Sequence, residues 1–454
     1  MKRALWLVPV LCAPLILVGS TAFAARPTPC APPTAPPPAV TPTTVDTIGQ
    51  AFFCISDHYA RAVDSRDLLQ AAFAGVAQQL SRSGLEQSDA TVPALTGDPD
   101  RDWDAFRAVY QRIADRLKPE ARQAVASAAM NGMINALHDN HAHWGRPTPP
   151  PGPYGLGFRT SPVPPLFQVA PEEALPPLYI TSVAGGPAAE QGLRPGDIIE
   201  AVNGAPIYVD GIPSLGALGL LFQQYPRSDQ IRVTVRRPST GRTWTVTMKP
   251  TVFQPAPQEL VTAKLLPGGI ADVQLAGFAP QAADQIFEAI KKLGTVRGLI
   301  LDLRGNGGGS PTEVARLLGA LTHGKITSYW CDRADKCTPN HTDDTVPLLN
   351  LPLVVLTDRN CASACDAFSS GVKDLKLGTL IGTRTAGVVS GPAGGYLLSD
   401  NSLLAMPAMH EKAANGETIN GVGVAPDIYL PRTAEDVSTG RDPALAKALS
   451  LLSH

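Results

Sequence analysis

Hydrophobic residues change their spacing along the chain, and each change marks a different kind of element. From Asp46 to about His138, apolar positions recur every three to four residues. They do so in "TIGQAFFCISDHYARAV", "DLLQAAFAGVAQQL", "DWDAFRAVYQRIADRL" and "EARQAVASAAMNGMINAL". That is the period of one helix face, and it predicts about four helices, broken at Gly84 and around Gly97–Pro99. The Pro- and Gly-rich "HWGRPTPPPGPYG" ends the pattern. Between residues 154 and 253 the apolar runs are short and β-rich: "YGLGFRT", "LYITSVAGG", "DIIEAVNGAPI", then "IRVTVRRP" and "TWTVTMKP". Turn signals at Pro195-Gly196-Asp197 and Asn203-Gly204 separate them, as in a small β-rich domain of ~100 residues. Beyond about Leu260, strands and amphipathic helices alternate. "GLILDLRG" and "LPLVVLTD" are near-continuous apolar strands, the mark of strands covered on both faces. "PTEVARLLGALT" and "SACDAFSSGVKDL" read as the helices that follow them, and "DPALAKALSLL" as a last helix. The rhythm predicts an α/β domain.

The N-terminus adds an address. "MKRALWLVPVLCAPLILVGSTAFAARP" has Lys2 and Arg3, an apolar run to Val18, and the small-x-small pattern Ala22-Phe23-Ala24. This predicts an export signal cut after Ala24 rather than a membrane span, for which the Pro-interrupted run is short. Residues 26–45 are Pro- and Thr-rich and predict an extended linker. The 454 residues are 44% hydrophobic and 17% charged, enough for several domains with full cores. Loss of Lys2 and Arg3 takes 38 basic residues to 36 against 40 acidic ones, a formal charge of −4. With no basic block, nucleic acid is not the expected partner. Cys12 leaves with the signal. Cys30, Cys54, Cys331, Cys337, Cys361 and Cys365 remain, an even set that in an exported chain suggests disulfides. Proximity favours Cys30–Cys54 and Cys331–Cys337. Cys361 and Cys365 are open to pairing with the second group or to remaining free thiols.

Three stretches carry candidate chemistry. Arg304-Gly305-Asn306-Gly307-Gly308-Gly309-Ser310 follows an apolar strand and opens a helix, so its amides can approach an anion closely. It is equally a tight strand-to-helix turn. Ser363, in "NCASACDAFSSG", sits between alanines at the start of a helix. It reads as an accessible nucleophile or as a helix N-cap. The third stretch, "LHDNHAHW", holds Asp139 and gathers the histidines His138, His141 and His143. They suit a general base, a metal site or plain surface histidines.

Together these stretches resemble the carboxy-terminal processing (tail-specific) serine peptidases and their tricorn-like relatives, over roughly residues 110–432. Gly155-Leu156-Gly157-Phe158 and "SVAGGPAAEQGLRPGDIIEAVNGAPI" resemble a PDZ domain, whose loop offers amides to a peptide's C-terminal carboxylate. "LILDLRGNGGG", "LVVLTDRNCASACDAFSSGVKD" and "GVGVAPDI" are similar to the family's catalytic core. The implied fold is multidomain α+β. A signal peptide (1–24) and linker (25–45) precede a helical region carrying the histidines (46–148). A PDZ domain (149–253), an α/β crotonase-like peptidase core (254–435) and a C-terminal helix (436–454) follow. The resemblance implies an exported endopeptidase with Ser363 as nucleophile. Gly308 or Gly309 and Ala364 would be the oxyanion donors, and Gly155, Leu156, Gly157 and Phe158 the peptide-binding loop.

One departure bears on mechanism. Where the commoner branch carries a catalytic lysine, Thr385-Ala386-Gly387-Val388 ends in a residue that takes no proton. Lys373 and Lys376 lie on the helix after Ser363, facing solvent. The tricorn-like branch instead uses a histidine ahead of the PDZ domain, which falls on His141, with Asn140 in the place of an auxiliary hydroxyl residue. That branch's glutamate falls on Asn420, with Glu417 close by, and either would orient the imidazole. The resemblance implies no metal and no cofactor. Its partners would be protein or peptide tails, with self-association left open. A non-catalytic PDZ scaffold and a metal-binding protein are the competing readings.

Overall fold

The computed structural model describes residues 30–33, 39–139, 141–145, 152–161, 176–223, 225–391 and 393–453. The export signal, much of the Pro-rich segment and Asn140 lie outside them.

The helical region is a group of four: α1 (Val45–His58), α2 (Ser65–Arg82), α3 (Pro99–Ala114) and α4 (Pro119–Ala136). Asp64 and Asp98 cap α2 and α3 by accepting amides of their first turns, and Thr44 forms a capping box with Thr47 at α1. Helices α2 and α4 cross closely. A Cβ on Gly75 would stand 2.3 Å from Ala128 O, and one on Gly132 2.3 Å from Ala71 O. The apolar faces close over Ile48, Phe52, Leu68, Phe106, Ile113, Met130 and Met133. Leu398, Leu404 and Met406, from far along the chain, share that core. The end of the expected linker is not free. Cys30 is disulfide-bonded to Cys54, and Thr43 Oγ1 donates to Asp400 Oδ2 at 2.7 Å. Buried Gln50 accepts the Ser399 amide at 2.7 Å.

The β-rich domain wraps Leu178, Ile180, Ile199, Val202, Val233 and Val235 inside short antiparallel strands. It rests on the C-terminal part of the chain through long-range bonds, among them Ser239 N to Ser438 Oγ at 3.2 Å. Arg159 Nη1 donates to Gly305 O at 3.0 Å, and Tyr179 Oη to Arg432 O at 2.6 Å.

The α/β domain is built on a six-stranded sheet: β1 (Val261–Leu266), β2 (Ile270–Leu275), β3 (Gly298–Asp302), β4 (Leu353–Thr357), β5 (Thr379–Gly382) and β6 (Ile428–Tyr429). Spatial order equals chain order, with β1–β2 antiparallel and the rest parallel. Residues of β3 and β4 are buried throughout because helices cover both faces. Leu299, Leu301 and Val355 meet the helices Ala282–Lys292, Pro311–Gly319 and Ala364–Asp374, while Ile300, Val354 and Leu356 meet Pro443–Leu452. Two additions surround this core. One is the hairpin of strands Ala393–Leu397 and Leu403–Pro407. The other is a three-stranded sheet of Ile326–Cys331, Cys337–His341 and His410–Ala413.

Candidate active site

Strand β4 hands the chain to a sharp turn and then to the helix Ala364–Asp374. Ser363 stands at the turn with φ 57° and ψ −118°. A non-glycine residue with positive φ is strained, and such strain persists only where neighbours hold it. Asp366 is one such neighbour. Its Oδ2 accepts the amides of Ser363 and Val388, and its Oδ1 that of Gly387, each at 2.9 Å. Burial pushes the Asp366 carboxyl up while those bonds oppose the shift. The Thr385–Val388 segment is thereby tied to the serine turn. Cys361 and Cys365 are bonded to each other across Ser363, with Cα atoms 5.2 Å apart. This settles their open pairing, because the turn brings the two thiols face to face in a way their spacing did not reveal.

The glycine loop lies against this turn. Gly308 has φ +97°, and a Cβ there would fall 2.5 Å from Ala362 O and 2.7 Å from Ser363 Cβ. Gly309 has φ +142°, and a Cβ there would meet Phe278 O at 2.4 Å. Ala362 N donates to Asn306 O at 3.0 Å, which joins loop to turn. Of the two glycines expected to hold an oxyanion, Gly308 spends its amide on Asn306 Oδ1 at 2.8 Å. The Gly309 and Ala364 amides make no hydrogen bond among the described residues. That leaves this pair as the available donors, Ala364 N because the first amide of a helix has no intrahelical acceptor.

The histidine segment arrives from the other end of the chain. After α4, residues His143–Gly145 add antiparallel to the hairpin, His143 opposite Ala405 and Gly145 opposite Leu403. Trp144 Nε1 donates to Ser402 Oγ at 2.7 Å. This rail places His141 on the wall of a cavity of about 560 Å³ that is also lined by Gly309, Ser363 and Ala364. His138 and His143 are exposed. Among the described residues the three histidines form no ligand cluster. The group that does converge is Cys331, Asp335 and His410, and its thiol is taken by the disulfide to Cys337.

Neither of the two expected partners makes a hydrogen bond to the imidazole among the described residues. Glu417 is exposed, in the turn after strand His410–Ala413. Asn420 Oδ1 accepts the amide of Val389, a residue of the cavity wall, at 3.1 Å. The acid beside His141 is Asp139. Its Oδ1 accepts the His141 amide at 2.9 Å and lies 3.7 Å from His141 Nδ1, and its Oδ2 accepts Tyr59 Oη at 2.8 Å. Burial pushes the Asp139 carboxyl up, but the hydrogen bonds from His141 and Tyr59 outweigh it and hold it below the ordinary aspartate range. Sequence reasoning singled out Asp139 with the histidines of this segment but gave it no role. It passed over Glu411, which is buried in the cavity wall with its carboxyl pushed by burial up to about 7. No motif surrounds Glu411 to mark it. Of the two lysines expected to face solvent, Lys376 is exposed beyond the helix end, but Lys373 Nζ donates to Ala425 O at 2.6 Å.

In the expected peptide-binding loop, Gly157 must be glycine. It has φ +85°, and a Cβ would lie 2.0 Å from Gly185 O. The Leu156 side chain enters the β-rich core, and Gly155 and Phe158 begin or end short strands on either side. What the loop can offer a ligand is therefore backbone.

Residues 269–430 match peptidase family S41 and residues 179–237 match a PDZ domain. The chain is 32% identical over 276 residues to a chloroplastic C-terminal processing peptidase of Tetradesmus obliquus, covering 56% of either chain. It is 32% identical over 157 residues to the tricorn protease of Thermoplasma volcanium, covering 34% of this chain and 14% of that one. The chain spans about half the length of the chloroplastic relatives it matches. The solved structure of a photosystem II D1 C-terminal processing protease superposes with a TM-score of 0.55 at 23% identity. It covers 90% of this chain and 97% of that one, a likeness of fold. The Ser363 turn, the glycine loop and the Asn420 turn all fall inside the S41 match, whereas His141 lies ahead of both matched domains. No described helix is long and apolar enough to cross a membrane.

Proposed function

We propose that this chain is an exported serine endopeptidase that uses a Ser–His mechanism and takes the C-terminal tails of proteins or peptides on its PDZ domain. The observation that carries the reading is the single cavity lined by Ser363, His141, Gly309 and Ala364. Ser363 Oγ attacks the peptide carbonyl as His141 takes its proton. The Gly309 and Ala364 amides hold the oxyanion, and His141 returns the proton to the leaving amine. Water then releases the acyl group from Ser363 by the same proton relay in reverse. The loop Gly155–Phe158 offers backbone amides to a tail carboxylate, and the tail adds as a strand.

Cleavage of an unfolded model protein by the mature chain tests this, with Ser363→Ala and His141→Ala alongside. Expected is cleavage by wild type and a loss of at least about 10³-fold in each variant. Tail peptides bound by a wild-type protein that cleaves nothing would replace the enzyme by a PDZ scaffold.

A further inference from the structure

We infer that Asp139, held by Tyr59, is the acidic member that positions His141, in place of the residues at 417 and 420. The inference rests on the peptidase reading above and adds the residue that aims its base.

Four observations converge. His141 Nδ1 is buried and makes no hydrogen bond among the described residues. A buried ring nitrogen left unpaired is costly, so a partner is expected within reach. The nearby charge is Asp139 Oδ1 at 3.7 Å, slightly beyond hydrogen-bond length. Catalytic bonds are often long before substrate binds and tighten afterwards. The Asp139 side chain is only 4% exposed, so its charge acts with little screening.

The third observation is how the carboxylate is held. Oδ1 accepts the backbone amide of His141 itself, so acid and base share one local frame. Oδ2 is fixed from behind by Tyr59 Oη, from just beyond α1. Burial and then the Asp139 charge push the Tyr59 phenol well above its ordinary range, so it stays a donor and the carboxylate stays ionised. The fourth is the placement of the alternatives, since Glu417 is exposed and Asn420 is engaged by the Val389 amide.

The chemistry follows from the tautomer. With its proton on Nδ1 facing Asp139, the imidazole presents the Nε2 lone pair to Ser363. When Nε2 takes the serine proton, the buried carboxylate stabilises the cation without itself becoming protonated. Asp139 touches no reacting atom and is a positioning residue. Tyr59 supports it at one further remove, which gives the helical region a part in catalysis.

The test uses the whole mature chain. Asp139→Asn keeps an acceptor for the His141 amide, turns an NH2 toward the Tyr59 hydroxyl, which can accept it, and loses the charge. Its kcat is expected to fall about 10³-fold, with KM changed by no more than about threefold. Tyr59→Phe is expected to lose about tenfold in kcat. Asp139→Glu should recover part of what Asn loses. A second readout needs no turnover. In Ser363→Ala protein, the imidazole N–H region of the proton spectrum should show a downfield Nδ1–H resonance. It should be assigned by its loss in His141→Ala and be missing when Asp139→Asn is added. Persistence of that resonance without the Asp139 carboxylate overturns the inference, even if wild type proves inactive. So does an Asp139→Asn enzyme within about twofold of wild type while Asn420→Ala or Glu417→Gln falls steeply.

Discussion

Ser363 and His141 reach one cavity by different routes. The serine half is local. Cys361, Ser363, Cys365 and Asp366 are neighbours in sequence, bracketed by a disulfide and clasped by three amides on one carboxylate. Its partner, the glycine loop, follows the adjacent strand of the same sheet. The histidine half is remote. It needs a four-helix group, a three-residue strand and a hairpin more than two hundred residues away to hold His141 in place. A turn built from contiguous residues depends on few packing events. A side chain delivered across the molecule depends on every contact of its rail.

Disturbing each half separately should expose that difference. The largest effect is expected from Gly308→Ala. The new Cβ would collide with Ala362 O and Ser363 Cβ on a backbone of positive φ. Displacement of the Gly309 amide should then cost about 10²–10³ in kcat. Amide exchange in residues 141–145 should stay as in wild type, and faster exchange there would show that the two halves are mechanically coupled.

Leu404→Ala attacks the other half. Leu404 is fully buried in the helical core and pairs with Trp144. A loss of about 2–5 kcal/mol of stability is expected, together with a fall in kcat of up to about 10² as His141 drifts. Exchange should quicken at 141–145 but not in the helix after Ser363. Equal loosening of both would erase the distinction.

The smallest effect concerns Glu411, on the cavity wall between the halves. Burial raises its carboxyl from an ordinary 4.5 to about 7. The unfolded chain therefore releases this proton at lower pH than the folded one. Stability is fullest below the ordinary value and declines as pH rises toward 7. Glu411→Gln should match wild type in thermal denaturation near the acid end and gain on it up to neutrality. The gain should then level off, with a ceiling of roughly 3 kcal/mol. A difference independent of pH would place the proton elsewhere.

Much of this was legible in the chain. Helix α2 ends just before Gly84 and α3 begins at Pro99, the breaks read in the sequence, because helix period and breakers are local properties. The strands of the α/β domain lie where apolar runs lie, since strands covered on both faces must be apolar throughout. Other features were not legible. The hairpin that carries His141 has an ordinary composition and acts only through its pairing. Glu417 was a sensible choice by charge and motif spacing, yet a turn points it to solvent. Asp139 was visible as a letter, but its weight comes from burial and from Tyr59, eighty residues away.

By itself, then, the sequence determined the main helices and strands, the serine between two cysteines at a helix start, and the run of glycines that lets the loop close. These follow from backbone sterics, periodicity and short-range spacing. The tertiary structure decided which glycine amide remains to be offered, that Cys361 meets Cys365, and which carboxylate lies beside the imidazole. Each of those depends on burial and on backbone conformation at distances of a few ångströms, which spacing along the sequence does not fix.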